Sequence, residues 1–122
     1  MTLSFFDVIW AWNAALRPPK PKMVVCLDSA NGIFLRINSE DKFRPCVGIA
    51  KRDHPFLKWD SYVECSLNVI DEYVIEEALE ESGIVGHVHE QHKAAIWQHL
   101  RRSPYISDRD KEALSEIFGM PL

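Results

Sequence analysis

At 122 residues, with 47% hydrophobic and 26% charged side chains, the chain has the balance of a single globular domain and not of a disordered or fibrous protein. A formal net charge of −4 excludes a global positive field that would gather nucleic acid, so any such contact has to come from a local patch. The three cysteines, Cys26, Cys46 and Cys65, lie far apart with no C-x-x-C spacing, which argues against a disulfide framework or a zinc ribbon and for free thiols in a reducing cytoplasm.

Residues 4–16, SFFDVIWAWNAAL, carry Phe5, Val8, Ile9, Trp12 and Leu16 at helical spacing behind Ser4, a candidate N-cap. The spacing predicts an N-terminal helix. Its extra aromatics, Phe6 and Trp10, suit either packing on the domain's own sheet or a dimer or partner contact. The segment lacks a basic leader, carries Asp7 and is too short to cross a bilayer, so neither secretion nor membrane insertion is expected. Arg17-Pro18-Pro19-Lys20-Pro21-Lys22 then breaks the helix, because proline cannot continue it.

The β-branched run Met23 to Leu27 predicts a strand, the turn residues Ser29, Asn31 and Gly32 a reversal, and Ile33 to Ile37 the returning strand of a hairpin. A third strand is expected over 44–50 and a fourth over 62–66. Between them His54-Pro55-Phe56-Leu57 reads as a turn plugged into the core by Phe56 and Leu57, with an Asp60-Ser61 step entering the strand. Beyond Asn68 the period changes from two to about three and a half residues. Helices are predicted from Asp71 to Gly83, over 89–102 and from Ser107 to Gly119. Strands within 22–66 followed by helices within 71–119 make an α+β domain spanning 1–122, with a small curled sheet or barrel.

Few side-chain constellations carry chemistry. His87, His89 and His92 invite a metal reading, but only His89 and His92 share a helical face and no fourth ligand of suitable type stands near, so a solvated polar helix start is the expectation. Glu76, Glu77, Glu80 and Glu81 read as the solvent face of an amphipathic helix. No G-x-S-x-G or phosphate-cradling glycine loop is present. Lys20 and Lys22 before the first hairpin strand, and Asn38, Ser39 and Glu40 after the second, fall at one end of the sheet. A lysine beside a hydroxyl there is suited to holding a phosphate.

The order of KPKMVVCL at 20–27, IFLRINSE at 33–40 and FLKWDSYVECSLNVID at 56–71 resembles the PemK/MazF-like toxins of bacterial type II toxin–antitoxin systems. The likeness runs over residues 20–102, and DSYVECS is its most specific part. It implies a small SH3-like antiparallel β-barrel with helices, usually a homodimer, in the cytoplasm, with an antitoxin protein as partner and no cofactor or metal. It implies an endoribonuclease that cuts single-stranded RNA by attack of a ribose 2′-OH on the adjacent phosphate. Ser39 matches the family's hydroxyl position, and Lys20 or Lys22 falls near its catalytic arginine. The chain departs from active members in having Lys20-Pro21 where they have Arg-Pro, while Arg44-Pro45 offers an arginine elsewhere. A lysine gives a point charge in place of a planar fork. His54 is a further acid/base candidate, since imidazoles titrate nearest neutral pH. The alternative is a non-catalytic barrel that engages a protein partner, such as an antitoxin or a phage or mobile-element component.

Overall fold

The structure is a computed structural model that describes residues 2–122. The segment expected to open the chain as a helix forms instead its first strand, β1 (Asp7–Asn13). The helical spacing misleads because β1 is covered on both faces at its start, Val8 and Ile9 both being fully buried. A strand buried on both sides loses the apolar–polar alternation that would give it away. Phe6, just before it, sits at a φ of 70° in a turn where the Asp7 amide donates to the Ser4 carbonyl at 3.0 Å. That left-handed geometry is costly for a bulky side chain. Full burial of Phe6, in a stack with Phe5 at 4.1 Å between centroids and edge-on to Phe118 at 6.1 Å, offsets it.

β1 pairs antiparallel with β2 (Lys20–Asp28), which the sequence reading began three residues later. β3 (Ile33–Asn38) returns beside β2. The turn between them needs Gly32, whose φ is +67° and whose missing side chain leaves room for the Ile70 carbonyl. β4 (Cys46–Ile49) and β5 (Ser61–Glu64) form the next ladder, shorter than the predicted 44–50 and 62–66. β6 (Asn68–Val69) is followed by helix α1 (Glu72–Glu81), and β7 (Gly86–His87) adds to the start of β1. Helices α2 (Lys93–Arg102) and α3 (Asp108–Phe118) close the chain. Ser107 Oγ caps α3 by accepting from the Asp110 amide at 3.1 Å, and Gly119 ends it in left-handed geometry.

The strand order is β4-β5-β3-β2-β1-β7, with β6 also paired to β3. β3 is the hinge of the sheet. Ile33 and Phe34 pair with β6, whereas Ile37 and Asn38 pair with β5 on the same edge. A register shift between Cys26 and Asp28 adds a bulge, which bends a strand and raises its twist. The result is an α+β fold with a curled antiparallel half-barrel.

Each face of this sheet is covered differently. One carries Val8, Val25, Leu35, Ile37 and Val63 into the main core with Trp97 and Leu100 of α2 and Leu114 and Phe118 of α3. Leu57 is buried in that core and Phe56 packs against it. The other face carries Ile9, Ala11, Val24, Cys26 and Phe34 under Ile75 and Ala78 of α1. α1 is short, so it covers only part of its face. Glu76, Glu77, Glu80 and Glu81 all point to solvent, as an amphipathic helix requires.

Candidate functional site

What α1 leaves uncovered is polar. Cross-strand partners share a face. Val24 pairs with Arg36, Ala11 with Lys22 and Asn13 with Lys20, so these cations lie on the α1 side of the sheet. Asn38 pairs with Tyr62, and Tyr62 with Gly48, which extends the face to β4. Two residues along β5 from Tyr62, Glu64 shares that side, and its Oε1 accepts from Asn38 Nδ2 at 3.1 Å. Antiparallel register, carried past its last pair, sets Asn38 opposite Lys22.

The cations here are uncompensated. Among the described residues, Lys20, Lys22 and Arg36 make no ion pair, in contrast to Lys42, which pairs with Glu40 at 2.8 Å, and Arg44, which pairs with Asp41 at 2.9 Å. Arg36 Nε is buried without any hydrogen-bond partner, an expensive condition for a charged group. Burial first, then the neighbouring charges of Lys20 and Arg36, lower the pKa of the Lys22 ammonium; Glu64 pulls it back up and Lys42 adds to the lowering. Each like charge on this face therefore raises the others' demand for an anion.

Sequence reasoning named Lys20, Lys22, Asn38 and Ser39 and missed Arg36, Tyr62 and Glu64. Register alone carries these three into place, since each sits inside a strand and nothing in the local spacing says which face it takes. Ser39 is exposed and lies immediately beyond β3; among the described residues its hydroxyl makes no hydrogen bond. Arg44 belongs to a different spot. It lines an opening with Asp41, Cys46 and His99 beside β4.

His54 is fully buried. Its Nδ1 meets the Ala50 carbonyl at 2.8 Å and its Nε2 accepts the His89 amide at 3.0 Å, which assigns the proton to Nδ1. With both nitrogens used inside the protein, His54 is a strut between two loops and not the acid/base group its sequence position suggested. His89 caps a short 3₁₀ turn, Glu90–His92, by accepting from the Gln91 amide at 3.1 Å. His92 stacks obliquely on His54 at 5.5 Å, and His87 Nδ1 contacts Asp7 Oδ1 at 3.1 Å. His89 and His92 thus bracket one turn, the His89 carbonyl accepting the His92 amide at 3.1 Å, while His87 belongs to the pairing of β7 with β1.

Asp60 and Ser61 are structural in the same sense. Asp60 Oδ1 accepts the Lys51 amide at 2.9 Å, and the buried Ser61 hydroxyl donates to the Trp59 carbonyl at 2.9 Å. The cysteines are free. Burial pushes the Cys26 and Cys65 thiols up to about 12, so neither presents a thiolate nucleophile at neutral pH.

Among the described residues no helix is long and apolar enough to cross a membrane. Comparison with family models, curated proteins and solved structures finds no match.

Proposed function

We propose that the uncovered end of the sheet binds the phosphodiester backbone of single-stranded RNA and that the chain is a PemK/MazF-like endoribonuclease. The observation that carries this reading is the set of three cations without an ion pair among the described residues, Lys20, Lys22 and Arg36, on one face with Glu64, a carboxylate held in place by Asn38. Paired cations gain little from a phosphate, whereas unpaired and partly buried ones gain a great deal. The curled half-barrel agrees with an SH3-like barrel, and the homodimer, the antitoxin partner and the cytoplasmic location belong to the same proposal.

The chemistry follows from the groups present. Glu64 Oε1 is held by Asn38, which leaves Oε2 to take the proton of a ribose 2′-OH. The 2′-oxygen attacks the adjacent phosphorus, and Lys22 and Arg36 stabilise the charge that builds on the phosphoryl oxygens. Lys22, with its lowered pKa, is suited to protonate the departing 5′-oxygen. Ser39, at the strand end, orients the phosphate. The products are a 2′,3′-cyclic phosphate and a 5′-hydroxyl, with no metal or co-reactant needed to balance the step.

The test is incubation of the purified protein with single-stranded RNA in a chelating buffer, alongside induced expression in a bacterium. Cleavage with a cyclic phosphate end, growth arrest, and relief of both by Lys22→Met, Glu64→Gln and Ser39→Ala are expected. Intact RNA and unaffected growth overturn the reading.

A second reading has its own observation. Beyond Val8 the outer edge of β1 has no partner strand among the described residues, and Trp10 and Trp12 stand 41% and 53% exposed beside it. An open edge flanked by aromatics favours a protein partner that adds a strand. Protein that is inactive on RNA but binds an antitoxin-like peptide, with loss on Trp12→Lys, selects this alternative.

A further inference from the structure

A cavity of about 290 Å³ opens between the end of β1, the β6–α1 connection and β3. Its wall brings together Trp12, Asn13, Arg36, Asn68, Asp71 and Tyr73. Trp12 and Tyr73 come from different elements and are 53% and 67% exposed. Large aromatics left in water at the mouth of one cavity are unexplained by the core, since neither belongs to it. Arg36 reaches the same space with its Nε buried and unpartnered.

The remaining polar groups are half-committed in a consistent way. Asn13 Oδ1 accepts the Ala15 amide at 3.0 Å, which leaves its NH₂ to donate. Asn68 Nδ2 donates to the Ser66 carbonyl at 3.2 Å, which leaves its oxygen to accept. Asp71 stands at the N-cap of α1, yet its carboxylate makes no capping hydrogen bond. A residue type chosen for capping that does not cap has its acceptors free for something else.

From these groups we propose that the cavity is a subsite for one unpaired base of the bound RNA, and that the base is guanine. The inference rests on the RNA-binding reading above. An aromatic pair supplies stacking surface to any base. Guanine alone offers acceptors O6 and N7 to a guanidinium on one edge and the donors N1–H and N2–H₂ to a carboxylate on the other. Arg36 and Asp71 are the matching groups. A cavity of this size takes one base and excludes a duplex. Arg36 also belongs to the cationic face, so a base seated here leaves its phosphate next to Lys22.

The experiment measures binding of five-nucleotide RNAs, UUUUU and its variants with a single central G, A or C, by fluorescence anisotropy, with Trp fluorescence quenching by guanosine 5′-monophosphate as a second readout. Melting curves check that each variant folds. The central G is expected to bind about tenfold tighter than U, the scale of one bidentate contact to a base edge. Asp71→Asn abolishes that preference, Trp12→Leu and Tyr73→Leu weaken RNAs with any central base without changing the salt dependence, and Lys22→Met weakens all four RNAs alike and lowers the salt dependence. Equal binding of all four RNAs, unchanged by Trp12→Leu and Asp71→Asn but weakened by Lys22→Met, overturns the guanine subsite and leaves the RNA-binding reading standing. No binding to any RNA, before or after Lys22→Met, overturns both.

Discussion

Asn38 Nδ2 donates to Glu64 Oε1 at 3.1 Å across two strands that lie 26 residues apart in sequence. This single bond fixes a carboxylate whose charge acts on Lys22, one of the unpaired cations of β2 and β3. Asn38 is itself buried, so its amide has few other ways to be satisfied.

Replacing that donor has a cost that depends on charge. Asn38→Leu is expected to lower stability by about 1.5–3 kcal/mol, the scale of a hydrogen bond to a charged group. Asn38→Asp sets two carboxylates together and costs more at neutral pH. Urea denaturation at several pH values checks this: the gap between the two variants closes near pH 4, where carboxylates protonate. A gap that does not narrow rules out charge repulsion as its cause.

The lowered pKa of Lys22 gives a signed pH prediction. Above that lowered value and below the ordinary lysine value of 10.5, the unfolded chain binds a proton the folded chain has released. Stability contributed by this group therefore rises with pH through that window. RNA binding runs the other way, since a phosphate needs the ammonium. Affinity is expected to fall with rising pH before ordinary lysines titrate, and Lys22→Arg moves that fall to higher pH. Binding curves from pH 7 to 10.5 decide it.

His92 behaves as an acid-side counterpart. Burial first, then His54 and His89, lower its pKa below the usual imidazole value of 6.5, with Asp53 opposing. The unfolded chain then takes up a proton before the folded one does. Stability is full above pH 6.5 and declines as pH falls through the lowered value. Melting temperatures between pH 7 and 5 are expected to fall less steeply for His92→Gln than for the native chain.

His54→Leu leaves the His89 amide without its partner, while the Ala50 carbonyl keeps the Asp53 amide at 3.1 Å, so a loss of about 1–3 kcal/mol in all is expected. The loss is expected to appear in thermal melts. RNA binding at temperatures well below the melt is expected to survive, because His54 lies outside the cationic face.

Gly32→Ala is expected to be harsher than most surface-turn changes. A Cβ there meets the Ile70 carbonyl at 2.5 Å, on a backbone with φ at +67°, and the Gly32 carbonyl itself receives the Ile70 amide at 2.8 Å. The loss is on the order of 2 kcal/mol or more, and chemical denaturation measures it.

Much of the chain was legible locally. The hairpin of β2 and β3, the plug of Phe56 and Leu57, the helices α1 and α3 and their ends at Gly83 and Gly119 follow from periodicity and turn chemistry within short windows. Those signals survive because each depends on neighbours a few residues away. β1 was not legible as a strand, because burial on both faces erased its alternation and left a pattern that fits a helix equally well. Lys20, Lys22, Asn38 and Ser39 were visible as a hairpin end, while nothing local marked Arg36 and Glu64 as their companions. Their meeting depends on the register of β2 with β3 and of β3 with β5, and on how far α1 reaches across the sheet. The sequence by itself determined the strands β2 to β5, the three helices and the cations available. Only the tertiary structure decided which cations stand together unpaired, because that is set by pairing and coverage between segments far apart in the chain.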